Sequence, residues 1–408
     1  MIKPNRTLRA LGVLFAGAAL LSGAGSAAAQ SLFASRGLGY LNPPLDGRAR
    51  GLGGVGLGLP GGGLSLVNPA AIAALPAPAL GVTFQPDFYN SRLPGSETEG
   101  STARFPLLHA AFPLGTRWTT SVAYGSYLDQ TWAAERSDSL RLPGRTLAVT
   151  DRFASHGGVT RLRVSGAYSL TERLAIGVSA DLYTGSVRDT LSRRLDPGVP
   201  DSLLLNTGVL VPARYGAEWS YRSVGASAGV RWAPSDALNL AAAVSGGATL
   251  KARPIEGSDS LAVGKDYTIP LTFDVGASGR VTPSAIVALA AQWSGWSAAN
   301  DDLASAGGAR DSWMVAAGVE WDASQADERS FPVRLGARYS ALPFRWGSTQ
   351  DGNAFPGERA LTAGLGARLA GGAALVDLAA ERGWRGGGDS VLDESYWRAT
   401  LTLTLLGR

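Results

Sequence analysis

The sequence predicts an all-β protein: a 14-stranded antiparallel transmembrane β-barrel whose N-terminal segment, carrying one short helix, fills the lumen. Three observations point there. Apolar and polar residues alternate with period 2 from residue 79 onward, which places one set of side chains on each face of a strand. The connections between these runs alternate in length, short then long, seven times over, as an outer-membrane barrel requires with its short periplasmic turns and long outer loops. The runs themselves span 10 to 13 residues, where soluble strands average about 5 to 6 and a tilted membrane strand needs about 9 to 11.

The elements follow in order. Lys3, Arg6 and Arg9 precede the apolar run LGVLFAGAALL, which ends in SGAGSAAAQ. That pattern predicts a signal peptide over 1–29, with an apolar core shorter than the ~20 residues that span a bilayer. Loss of its three cations would bring the formal net charge of +4 close to +1, so the basic balance does not argue for nucleic acid. The chain has no Cys, which excludes a disulfide framework and thiolate chemistry in a compartment that would permit both.

Residues 30–78 do not alternate and are rich in Gly and Pro, a composition unsuited to a strand or long helix. One short helix is expected where Asn68 can cap, Pro69 suits the first helical position, and AAIAAL follows before Pro76. Placed before a wide barrel, this segment is expected to act as a lumenal hatch, with glycine allowing positive φ and close approach to the wall. Within it, Gly51, Gly53 and Gly56 match G-x-G-x-x-G. A dinucleotide site would need a strand before the match and a helix leaving it; LNPPLDG reads as a turn, and the expected helix lies about a dozen residues on. No cofactor is expected.

The barrel is expected over 79–408, with strands starting near 79, 103, 117, 158, 174, 214, 236, 267, 284, 312, 332, 359, 373 and 395. In RLRVSGAYSL, Leu162, Val164, Tyr168 and Leu170 share one face, opposite Arg161 and Arg163; IPLTFDVGASGRV repeats the pattern. Long polar loops are expected near 89–102, 129–157, 188–213, 250–266, 295–311, 345–358 and 385–394. Trp118, Trp232 and Trp321 fall beside short turns; Tyr127, Trp219, Trp293, Trp296, Trp313 and Trp397 fall beside long loops. Two interfacial aromatic girdles would produce that placement.

GLGGVGLGLPGGGLSLVNPAAIAAL, followed by the strand ALGVTFQPDFY, resembles the N-terminal hatch of the outer-membrane long-chain fatty acid transporter family and its PorV/PorQ-type relatives. PVRLGARYSALPF at 332–344 is similar to a late strand of these barrels. The resemblance implies a hatch motif built on Gly51, Gly53, Gly54, Asn68, Pro69 and Ala70. Where family members carry Asp before the Asn-Pro-Ala triplet this chain has LPGGG, and its end, TLLGR, lacks a terminal aromatic.

Chemistry is sparse. The two histidines, His109 and His156, read as a strand residue and a loop residue rather than a catalytic base or metal ligand, and Asp301-Asp302 falls short of the six to eight oxygens calcium takes. Neither a catalytic nor a metal site is expected. The alternation turns Arg161, Arg163, Arg231, Arg280, Arg334, Arg338, Arg368 and Arg398 inward with Asp181, Asp274, Glu320, Asp377 and Glu381. Most would form a network holding the hatch; Arg161, Arg163, Arg334 and Arg338 are candidates for an anionic headgroup, since guanidinium grips a carboxylate bidentately. Two functions follow from the resemblance. One is passive uptake across the outer membrane of a fatty-acid-like or hydrocarbon molecule, with the bilayer and that ligand as partners and no nucleic acid. The other is a PorV-like adaptor of a protein secretion system.

Overall fold

The computed structural model describes residues 31–61, 66–142, 145–195, 214–255, 263–322, 330–346, 355–387 and 391–407; the signal peptide expected over 1–29 lies outside them. After the short strand β1 (Tyr40–Leu41) the wall runs β2 (Ala79–Leu93), β3 (Ser96–Leu114), β4 (Trp118–Asp129), β5 (Trp132–Leu142), β6 (Arg145–Ser169), β7 (Leu174–Leu195) and β8 (Arg214–Ser235). It continues through β9 (Leu238–Gly247), β10 (Leu250–Pro254), β11 (Lys265–Tyr267), β12 (Thr272–Thr282), β13 (Ala285–Ser294) and β14 (Ser312–Trp321). The last four are β15 (Val333–Ala341), β16 (Gly357–Leu369), β17 (Ala374–Gly386) and β18 (Asp393–Leu406).

Setting aside the accessory strands β1, β5, β10 and β11, fourteen antiparallel strands close into a ring when β18 pairs with β2. Closure leaves no open edge, which is what lets a sheet sit in lipid. The alternation sets the two faces: Val178, Leu289, Leu335 and Leu361 are exposed on the outside, while Arg163, Asp181, Arg334 and Glu381 are buried inside.

The outer end differs from the loops expected there. Most of the described residues near 89–102 and 129–157 are strand: β2 and β3 meet at Pro94-Gly95, and β5 forms a hairpin with the first half of β6. β7 continues to Leu195. At 25 residues, β6 would reach about 80 Å fully extended against a hydrocarbon layer of about 30 Å, so its first half stands clear of the bilayer. Polar alternation, which suggested loops, is what a two-sided solvated hairpin also produces. There Arg193 grips Asp151 through two 2.6 Å bonds and holds that carboxyl below its ordinary range.

The girdle is partly as expected. Trp118, Trp232 and Trp321 are exposed at the short-turn end, and Trp293, Trp313 and Trp397 at the other. Tyr127, Trp219 and Trp296 instead turn inward and join an apolar core; proximity to a loop did not fix which face each occupies.

Candidate functional site

The described residues of the N-terminal segment, 31–61 and 66–78, lie within the ring. Asp46 caps a helix at Gly47–Gly51 by accepting from the Ala49 amide at 2.8 Å, so LNPPLDG leads into a helix rather than a bare turn. Gly51 is thus at a helix C-terminus, the end that repels anions, and the nucleotide reading fails on geometry as well. Gly53 and Gly54 follow with φ of +79° and +101°, a region that favours glycine. A further helical turn follows at Pro69–Ala74, where the Asn68 side chain accepts from the Ala70 amide at 2.9 Å and donates to the Val230 carbonyl at 3.0 Å.

The hatch lies on the wall backbone to backbone. A Cβ added at Gly318 of β14 would stand 2.7 Å from the Leu52 carbonyl oxygen, and one at Gly177 of β7 would stand 2.5 Å from the Ala70 amide. Gly336 meets Gly53 and Gly276 meets Leu57 in the same way, while Gly229 leaves room for the Asn68 side chain. Glycine in a strand marks close approach of another backbone, and here the wall glycines trace the course of the hatch around the lumen.

Charges fix it in place. Arg48 grips Glu320 with two bonds of 2.7 and 2.8 Å, and Arg334 links Glu320 at 2.7 Å to Asp377 at 2.6 Å. Further toward the outer end, Arg338 bridges Glu358 at 2.8 Å and Glu381 at 2.7 Å, Arg385 bridges Glu358 at 2.5 Å and Glu394 at 2.6 Å, and Arg398 joins Asp87 at 2.7 Å to Glu381 at 3.2 Å. The hatch enters through Tyr40, whose hydroxyl donates to Glu358 at 2.8 Å, through Ser31, which donates to Glu394 at 2.8 Å, and through Arg50, 3.8 Å from Glu381. Arg104 pairs with Asp87 and Asp129. Five arginines (50, 104, 338, 385, 398) therefore face five carboxylates (87, 129, 358, 381, 394), and this cluster has no surplus positive charge.

The four candidate anion-binding arginines fare differently. Arg163 binds Asp181 bidentately and also reaches the Leu66 carbonyl; Arg334 and Arg338 are engaged as above. Arg161 donates to the Leu66 carbonyl at 3.2 Å and, among the described residues, has no carboxylate within 4.0 Å. Arg280 and Arg368, expected inside, are exposed near the short-turn end, Arg280 donating to the Pro283 carbonyl at 2.9 Å. Sequence reasoning missed Glu358, Arg385 and Glu394, because the outer ends of β16, β17 and β18 were assigned to loops.

Opposite the charged side, Leu128, Val159, Tyr183, Val187, Tyr221 and Leu250 from β4 to β10 pack with Trp296 and Phe344. Trp296 and Phe344 meet edge to face at 5.1 Å, and the Tyr127 and Tyr183 rings lie tilted at 4.8 Å. Two cavities between hatch and wall measure about 90 and 50 Å³, room for water rather than for a hydrocarbon chain.

The fold is shared with solved channels. A Pseudomonas aeruginosa FadL homologue aligns at a TM-score of 0.59 and 14% identity, covering 90% of this chain and 99% of its own. The CymD monoaromatic hydrocarbon channel gives 0.55 and 16% over 89% and 97%, and the Ralstonia pickettii toluene transporter TbuX 0.55 and 15% over 89% and 98%. No curated protein matches the chain. The BamG family model matches residues 1–208; spanning half the sequence, that match places the chain in the BamG family, and its fold is FadL-like, a fourteen-stranded barrel with the hatch inside.

Proposed function

We propose that this protein is an outer-membrane barrel for passive movement of a hydrophobic or amphiphilic small molecule, fatty-acid-like or hydrocarbon, with the hatch as its gate. The observation that carries this reading is the hatch itself, laid against wall glycines inside a FadL-like ring. Solved barrels of that fold are described as toluene and monoaromatic hydrocarbon channels, which supports the substrate class. Arg161, facing the hatch with no carboxylate within 4.0 Å among the described residues, is a lumenal cation available to an anionic headgroup. Purified protein in liposomes should admit labelled long-chain fatty acid or aromatic hydrocarbon faster than empty liposomes, and deletion of residues 30–70 should change the rate. Equal rates in both comparisons overturn this reading.

A second reading, an adaptor holding partners of a protein secretion machinery, is favoured by one observation: the hatch is tied to the wall through ion pairs, and the two cavities between it and the wall described above are small. Such a barrel gains nothing from opening. Co-purification of secretion components, with no liposome uptake, would support it.

A further inference from the structure

The lipid-facing wall carries a groove of about 1030 Å³ between β9 and β17, as large as the upper range of small-molecule sites, roughly 300–1,000 Å³. It forms where the wall is drawn in over the hatch. On its inside Gly276, Gly318 and Gly336 let the strands touch hatch backbone; on its outside Ala277, Ala317 and Ala337 leave the floor low beside Leu289 and Leu361. The groove is apolar over most of its length. Its end toward the outer extensions is closed by Tyr339, Arg359 and Trp384.

That end is charged. Arg359 sits opposite Tyr339 on one side and Trp384 on the other, and Arg382 sits opposite Leu361 and Trp397. The Arg359 guanidinium lies 5.7 Å from the Trp384 ring; that of Arg382 lies 5.3 Å from Trp384 and 5.2 Å from Trp397. Among the described residues neither meets a carboxylate within 4.0 Å, unlike the paired arginines of the lumen. The two are diagonal neighbours across β16 and β17, a relation that sets Cα atoms about 7–8 Å apart. Arginine on the outer face of a barrel is costly at the bilayer midplane and far less so near the interface, where the aromatic neighbours place this pair. A bound phosphate removes the remaining penalty and matches the guanidinium fork.

We propose that this groove is a binding site for a phosphate-bearing membrane lipid, with the phosphate between Arg359 and Arg382 and an acyl chain along the groove. The continuity of cationic head and apolar floor on a face turned to the bilayer selects a lipid over free phosphate.

The test incubates the purified protein in detergent with palmitoyl-oleoyl phosphatidic acid or with the diacylglycerol of the same chains, and counts retained lipid by native mass spectrometry. The protein should retain phosphatidic acid about tenfold better, a gain on the scale of one charge-assisted hydrogen bond; inorganic phosphate should not displace it. Arg359→Gln with Arg382→Gln should remove the preference, while Arg92→Gln at the exposed rim should leave it. Ala317→Trp, which fills the groove and spares both arginines, should lower retention of both lipids and stands as the test if the double variant does not fold. Equal retention of the two lipids, an unchanged preference in the double variant, undiminished retention in Ala317→Trp, or displacement by inorganic phosphate would each overturn the proposal.

Discussion

The two sides of the lumen hold the same hatch by opposite means. From β15 through β3 the wall offers arginines and carboxylates in chains of short ion pairs; from β4 through β10, with Trp296 and Phe344, it offers mainly aromatic and aliphatic side chains, the Arg163–Asp181 pair beneath Leu66 being the charged exception. The difference lies in what each side tolerates. Buried ion pairs add little net stability over a well-packed apolar substitute, but losing one partner strands the other without water. An apolar core scales with the volume it loses and accepts a substitute of similar size. The charged side therefore fixes where the hatch sits, while the apolar side closes space around it.

The largest effect is expected on the charged side. Glu381→Ala leaves Arg338, Arg398 and Arg50 without a shared carboxylate and should cost about 3–5 kcal/mol, read as a shift in the denaturant midpoint of the barrel. Glu381→Gln, nearly isosteric, should cost almost as much, and a small loss there would erase the contrast between the two sides. Leu250, fully buried on the apolar side, should lose about 2–5 kcal/mol as Leu250→Ala but less than about 1.5 kcal/mol as Leu250→Met. Asn68→Ala removes a helix cap and the donor to the Val230 carbonyl, for about 0.5–2 kcal/mol. Its signature should be faster hydrogen exchange confined to residues 68–75.

The smallest effect concerns pH. Asp151, in the outer hairpin, is held low through its hydrogen bonds to Arg193. A carboxylate depressed in the folded state contributes above its unfolded value, about 3.9, and that contribution disappears as pH falls through the folded value. Proteolysis within the β5–β6 hairpin should thus quicken only below about pH 4, and Arg193→Gln should remove the dependence.

Much of this was legible in the chain. Period 2 gave the fourteen wall strands and the inward set that includes Arg163, Arg334, Glu320 and Glu381, because burial and alternation report the same geometry. Asn68-Pro69-Ala70 announced its helical turn through local capping chemistry. What stayed hidden depended on partners distant in sequence. Asp46 caps a helix that only wall contacts can stabilise at five residues. Trp296 reads as a girdle residue until the segment bearing it folds into the mouth. The glycines of β7, β8, β12, β14 and β15 acquire meaning only once the hatch lies across them.

The course of residues 31–78 also bears on how the molecule is assembled. Ser31 and Leu32 bond Glu394 at the outer end of β18, whereas Pro78 accepts from the Gly407 amide at the opposite end. The seam that closes the ring, β18 against β2, carries Arg398 and Asp87, and the first of these shares Glu381 with Arg50 of the hatch. One carboxylate, Glu381, thus serves both the hatch and the strand that joins the last of the wall to the first, so docking of the inner segment and closure of the seam are coupled through a shared charge.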